Sequence, residues 1–135
     1  MSAAVRWTEE DFERLSWHDC HVWGLAVRSG APDRGDWTSD LSFDIDFITE
    51  WLCATDGGAS FRVAPATLTF HEVTDPDVRV TWGVPAGRTA VHPMSIANVT
   101  RTPVPGQVGS RHQPYYRWTL ELNWPKDGAI ALGAS

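Results

Sequence analysis

The sequence predicts an all-β fold: an antiparallel sandwich or partly open barrel of about seven strands, with a short N-terminal helix. Three observations predict it. Apolar and polar residues alternate at period two through several stretches, the spacing of a half-buried strand. The 11 glycines and 9 prolines cluster between those stretches, where turns belong. The 8 tryptophans of a 135-residue chain carry enough ring area to fill much of a small β core.

The helix is predicted first. Thr8 can cap it, with Asp11 three residues on in the capping-box position, and Trp7 and Phe12 are placed for a hydrophobic staple. Glu9, Glu10 and Asp11 fill the first turn, where the helix dipole favours negative charge. Two or three turns are marginal alone, so this helix must lean on the rest of the fold.

After Trp17-His18-Asp19 the period becomes two. His21, Trp23, Leu25 and Val27 alternate with Val22, Gly24, Ala26 and Arg28, and Ser29 to Asp36 has loop composition. The clearest strand follows. Leu41, Phe43, Ile45 and Phe47 share one face, with Asp40, Ser42, Asp44 and Asp46 on the other. A slip of one residue would bury three carboxylates, so the register is firmly specified. Residues 48–53 fit either a continued strand or a short helical turn. Asp56-Gly57-Gly58 reads as a turn. Phe61 to Val73 reads as a strand whose Pro65 suggests an edge or a bulge, with Ala66, Leu68 and Phe70 on one face.

Thr74-Asp75-Pro76-Asp77 is expected to turn, and Val78, Val80 and Trp82 to return as a strand. Gly83 to Arg88 and Thr102 to Pro114 are expected to be loops. Between them Ser95 to Arg101 forms a strand, through either Ile96, Asn98 and Thr100 or Ala97 and Val99. The last hairpin is well marked. Tyr116, Trp118, Leu120, Leu122 and Trp124 alternate with polar residues, Pro125 to Gly128 turns, and Ala129 to Leu132 runs back.

Length and composition bound the function. The chain fits one β domain spanning residues 1–135. A hydrophobic share of 42% against 21% charged residues excludes a disordered chain. A net charge of −6 argues against nucleic acid or an anionic membrane as partner. No stretch approaches the ~18 apolar residues of a membrane span. The first residues carry no apolar run of signal-peptide length, so the expected location is the cytoplasm. Cys20 and Cys53 stand apart from any CxxC pair and read as buried thiols rather than a bridge.

Four constellations could carry chemistry. His18, Asp19, Cys20 and His21 are all metal-ligand types. On a strand, however, Cys20 and His21 face opposite ways, and Asp19 equally suits a turn in which it accepts backbone N–H bonds. Asp40, Asp44 and Asp46, with Asp36 nearby, form an acidic face. Carboxylates at alternate strand positions lie roughly 7 Å apart and repel by only about 0.6 kcal/mol in water, so they need no bound cation. Glu50, Glu72, Glu121 and His71 could serve acid/base catalysis, but no spacing links them, and no GxSxG elbow or Gly-rich phosphate loop is present. No catalytic residue and no cofactor is therefore expected. Finally, Trp37 in a polar loop and Tyr115, adjacent to Tyr116, are candidate aromatic anchors.

The blocks Ser16-Trp17-His18-Asp19, Leu41 to Trp51 and Phe61 to Phe70 resemble a family of small bacterial proteins to which no activity is attached. The Trp-His-Asp start and the acidic β character are also similar to small immunity proteins of bacterial polymorphic toxin systems. That second likeness implies a binding role.

The expected function is a non-enzymatic binding protein, an immunity-type inhibitor in one form. Its contact residues would be Asp40, Asp44, Asp46, Trp37 and Tyr115, and its partner a basic protein. The alternative is a small-ligand or metal-binding protein, or a hydrolase, with a site at His18, Asp19 and His21. A homodimer joined at an edge strand containing Pro65, or at Tyr115, is a further expectation.

Overall fold

The computed structural model describes residues 6–53, 58–81, 93–109 and 113–135. Its seven strands are β1 (His21–Ser29), β2 (Ser39–Cys53), β3 (Ala59–Phe70), β4 (Thr74–Arg79), β5 (Met94–Val108), β6 (Pro114–Trp124) and β7 (Ala129–Ala134). All pairings are antiparallel, in one sheet of order β3-β2-β1-β5-β6-β7-β4 that does not close into a barrel. The all-β expectation holds. The expected turns around Asp56 and Gly57, the Trp82 end of the fourth strand and the Gly83–Arg88 loop lie outside the described residues.

The sheet folds over at its middle. Among the described residues β1 and β5 pair only through His21–Ser95 and Val22–Met94. The inner faces of β2–β3 and β5–β7 therefore meet, as the layers of a sandwich do. Phe43, Ile96, Leu120, Ile130 and Leu132 are fully buried between them, and the Phe70 and Trp118 rings touch across the gap with centroids 5.4 Å apart.

The β2 alternation appears as predicted. Leu41, Phe43, Ile45 and Phe47 are buried, while Asp44 is exposed on the opposite face. The strand then continues to Cys53 without a helical turn. A bulge explains the ambiguous sequence. Thr49 has no opposite residue in β3, so the phase shifts by one and both Phe47 and Ile48 turn inward. The same device resolves β5, where Ala97 is the extra residue and Ile96 and Val99, three apart, both point to the core. Pro65 lies in β3 at the sheet edge, where a missing N–H costs no ladder bond.

Three expectations shift. The N-terminal helix is a 3-10 segment, Glu9–Arg14, whose Asp11 carboxylate accepts from the Thr8 N–H at 2.9 Å and pairs with Arg14. Its aromatic flanks take separate partners rather than forming a staple: Trp7 meets Phe47 and Phe12 meets Trp118. Much of the supposed Thr102–Pro114 loop is strand, because β5 runs to Val108. The prolines are tolerated because β5 beyond Ser95 has a strand on one side only. The turn expected at Thr74–Asp77 falls earlier, at His71–Val73, where Glu72 adopts a left-handed φ of 54°. Pro76 instead occupies the register gap of β4 between Thr74 and Asp77.

Candidate functional site

The outer face of β1–β3 follows from the pairing register. Asp44 lies between Gly24 and Thr67, Asp46 between His21 and Pro65, Ser42 between Ala26 and Thr69, and Asp40 opposite Arg28. Small neighbours leave Asp44 exposed and Asp46 half-buried, with only Asp44 Oδ2 and Cβ near the position a Gly24 side chain would take. The acids are not equivalent. Asp40 is half-buried and pairs with His71 Nδ1 at 3.2 Å. Among the described residues no ion pair engages Asp44 or Asp46.

Trp23 completes this patch. It is the bulged residue of β1, with no opposite residue in β2 between the Val22–Ile45 and Gly24–Asp44 pairs. The bulge turns its ring outward, where it is 62% exposed. Its indole N–H donates to Asp46 Oδ2 at 2.7 Å, and its ring meets His21 at 6.2 Å between centroids. Sequence reasoning missed Trp23 as a surface residue, because its parity matches the apolar positions of β1. A hint was present in Gly24 beside it, since an isolated strand glycine often marks a bulge.

The other expected anchors separate. Trp37 is 79% exposed on the β1–β2 connection. That connection is closed by Gly30 N–H to Thr38 O at 2.7 Å and by the Asp36 carboxylate, which accepts from the Thr38 N–H and hydroxyl. These bonds, the hydroxyl's first, hold the Asp36 carboxyl below its ordinary pKa.

Tyr115 is not a surface anchor. It is 4% exposed, and its hydroxyl donates to the Glu72 carbonyl at 2.9 Å and lies 2.7 Å from Thr74 Oγ1. Tyr115 lies over Gly133 of β7 and reaches the chain at 72–74 beyond it, and Arg117 does the same by donating to the Asp75 carbonyl. Gly133 makes room for this cover. A Cβ there would stand 2.5 Å from Thr74 Oγ1 and 3.0 Å from the Tyr115 ring. The same burial leaves no exposed Tyr115 ring to serve as a dimer contact.

The metal alternative is not assembled. His18 Nδ1 lies 3.0 Å from the Ala97 carbonyl, and its Nε2 3.4 Å from Asp19. Asp19, at a left-handed φ of 64°, accepts from the Asn123 side-chain amide at 2.8 Å rather than from backbone N–H groups. His21 sits apart against Trp23, and Cys20 is buried in the core. Among the described residues no group of three His, Cys, Asp or Glu side chains could hold one ion. A small cavity of about 230 Å³ touches His18 but neither Asp19 nor His21. Burial pushes the Cys20 thiol above its ordinary pKa, which suits an inert core residue.

Among the described residues no helix is long and apolar enough to cross a membrane. Comparison with protein-family models, curated proteins and solved structures finds no match.

Proposed function

We propose that this chain is a non-catalytic binding protein that captures a basic protein partner on the outer face of β1–β3. The observation that carries the reading is the Trp23–Asp46 pair. An exposed tryptophan fixed by a 2.7 Å hydrogen bond loses little rotamer freedom on association, so it is a prepared anchor. Asp44 and Asp46 supply negative charge beside it that no internal ion pair consumes, which favours a cationic surface and steers its approach. Asp40 contributes less, because Arg28 and His71 already face it. Inhibition of the immunity type is one form such capture takes, and the likeness of the Trp17-His18-Asp19 block to immunity proteins supports it.

The test is affinity capture from the source cell with the wild-type chain and with Trp23→Ala, at low and high salt. The expected result is a protein with a basic surface that the wild type retains at low salt, that salt releases, and that Trp23→Ala does not hold. Identical retention by the two chains contradicts the proposal.

A further inference from the structure

A second feature adjoins the outer patch and shares Trp23, Asp44 and Asp46 with it. A cavity of about 1040 Å³ lies among the N-terminal segment, β1–β3, β5 and β6, lined by inward residues and by these outward ones. That is the size of a small-molecule site rather than of a packing defect. Seven Phe and Trp rings line it, Trp23 at the outer patch and six others: Trp7, Phe12, Trp17, Phe47, Phe70 and Trp118. They brace one another. Trp7 and Trp17 each stand 5.4 Å from Phe47, while Phe12 and Phe70 stand 5.1 Å and 5.4 Å from Trp118. Arg101 fixes the N-terminal wall from behind, donating to the Glu9 carbonyl and lying 4.6 Å from the Phe12 ring centroid. The walls are therefore built before any ligand arrives.

The polar atoms of the wall show what the site reads. Among the described residues four buried side-chain polar atoms have no hydrogen-bond partner, and three belong to residues lining this cavity: Trp17 Nε1, Gln113 Oε1 and Ser135 Oγ. Buried polar groups are nearly always satisfied, so three orphans among the residues of one cavity are a demand for partners. Trp17 Nε1 can only donate, Gln113 Oε1 can only accept, and Ser135 Oγ can do both. Gln113 and Ser135 stand together with Glu72 Oε2, since all three flank the position a Gly109 side chain would take. None of the three atoms is charged, and the charged or titratable lining residues, Arg6, Glu9, Asp44, Asp46 and His71, are exposed or half-buried, so an ionic ligand held deeper among the rings would carry a heavy desolvation cost.

We propose that this cavity binds a neutral, planar aromatic or heteroaromatic molecule bearing an N–H or O–H donor, its rings against Phe47 and Trp118 and its donor at Gln113. The probe is N-phenyl-1-naphthylamine, a neutral ring system with one N–H, titrated into the full chain and followed by its emission. The expected result is saturable binding at one site per chain. Leu68→Trp, which places a large ring in the cavity, should abolish it. Gln113→Leu removes the acceptor at nearly constant volume. It should weaken the naphthylamine by about tenfold, while leaving binding of 1-phenylnaphthalene, which lacks the donor, unchanged. The proposal is overturned by absence of saturable binding to the wild type, by undiminished binding to a folded Leu68→Trp chain, or by equal effects of Gln113→Leu on the two compounds. Should Leu68→Trp not fold, the Gln113→Leu comparison decides alone.

Discussion

β1 and β7 carry the same kind of pattern and meet opposite fates. In β7, Ile130, Leu132 and Ala134 are fully buried. In β1, Leu25 and Val27 pair with Phe43 and Leu41 and so share the core-facing side, yet they are 43% and 73% exposed. The difference lies in what surrounds each strand. β7 is flanked by β6 and β4 and faces the β2–β3 layer. β1 loses β5 after Val22, and its inward side chains run out beyond the closed core. Alternation therefore decides which way a side chain points, and topology decides whether anything covers it. Buried side chains concentrate in the β2–β6–β7 core, and the exposed apolar and acidic side chains of β1 and β2 lie where cover ends.

Substitutions should sort along that division. Phe43→Ala empties a fully buried site between the layers and should cost about 3–5 kcal/mol, read from the shift in the denaturant midpoint at constant slope. Val27→Ala, on the same face but uncovered, should stay within about 0.5 kcal/mol, and an equal loss at both positions would break the comparison. Gly133→Ala drives a methyl into Thr74 and Tyr115 and should cost about 1–3 kcal/mol by the same measurement. Tyr115→Phe removes one hydroxyl bond to the Glu72 carbonyl and should cost about 1 kcal/mol.

The smallest effects are electrostatic. The Asp11 and Asp36 carboxyls are held below their ordinary value of 3.8, Asp11 first by the Thr8 N–H and Asp36 first by the Thr38 hydroxyl. Their contribution is complete above that ordinary value and disappears as pH falls through the folded-state values. Thr38→Ala should therefore lower stability slightly at neutral pH, leave it nearly unchanged below the folded-state values, and so flatten the acid limb of the profile. Cys20, with its thiol pushed up by burial, should resist iodoacetamide in the native chain at neutral pH and react once the chain is unfolded.

Much of this was legible in the residues. The face of β2, the β6–β7 hairpin and the edge position of Pro65 all follow from local rules, because each is decided by neighbours two residues away or by a missing N–H. The bulges at Trp23, Thr49 and Ala97 were not legible. Each inserts one residue and reverses the parity beyond it, and only the partner strand reveals where. Tyr115 was misread for a related reason. Its outward parity on β6 was correct, but the side-chain-free Gly133 and the residues 72–74 that bury it are brought there by strand order. The acidic face was visible as alternation, whereas the exposed tryptophan that gives it an anchor was hidden behind a bulge.

The most direct measurement takes the double variant Asp44→Asn, Asp46→Asn and records its unfolding midpoint and its partner capture side by side. The account expects a midpoint within about 0.5 kcal/mol of the wild type, because both groups lie on the solvent side of β2, together with loss of the basic partner. A chain that unfolds far more easily, or one that still captures the partner at low salt, would contradict it.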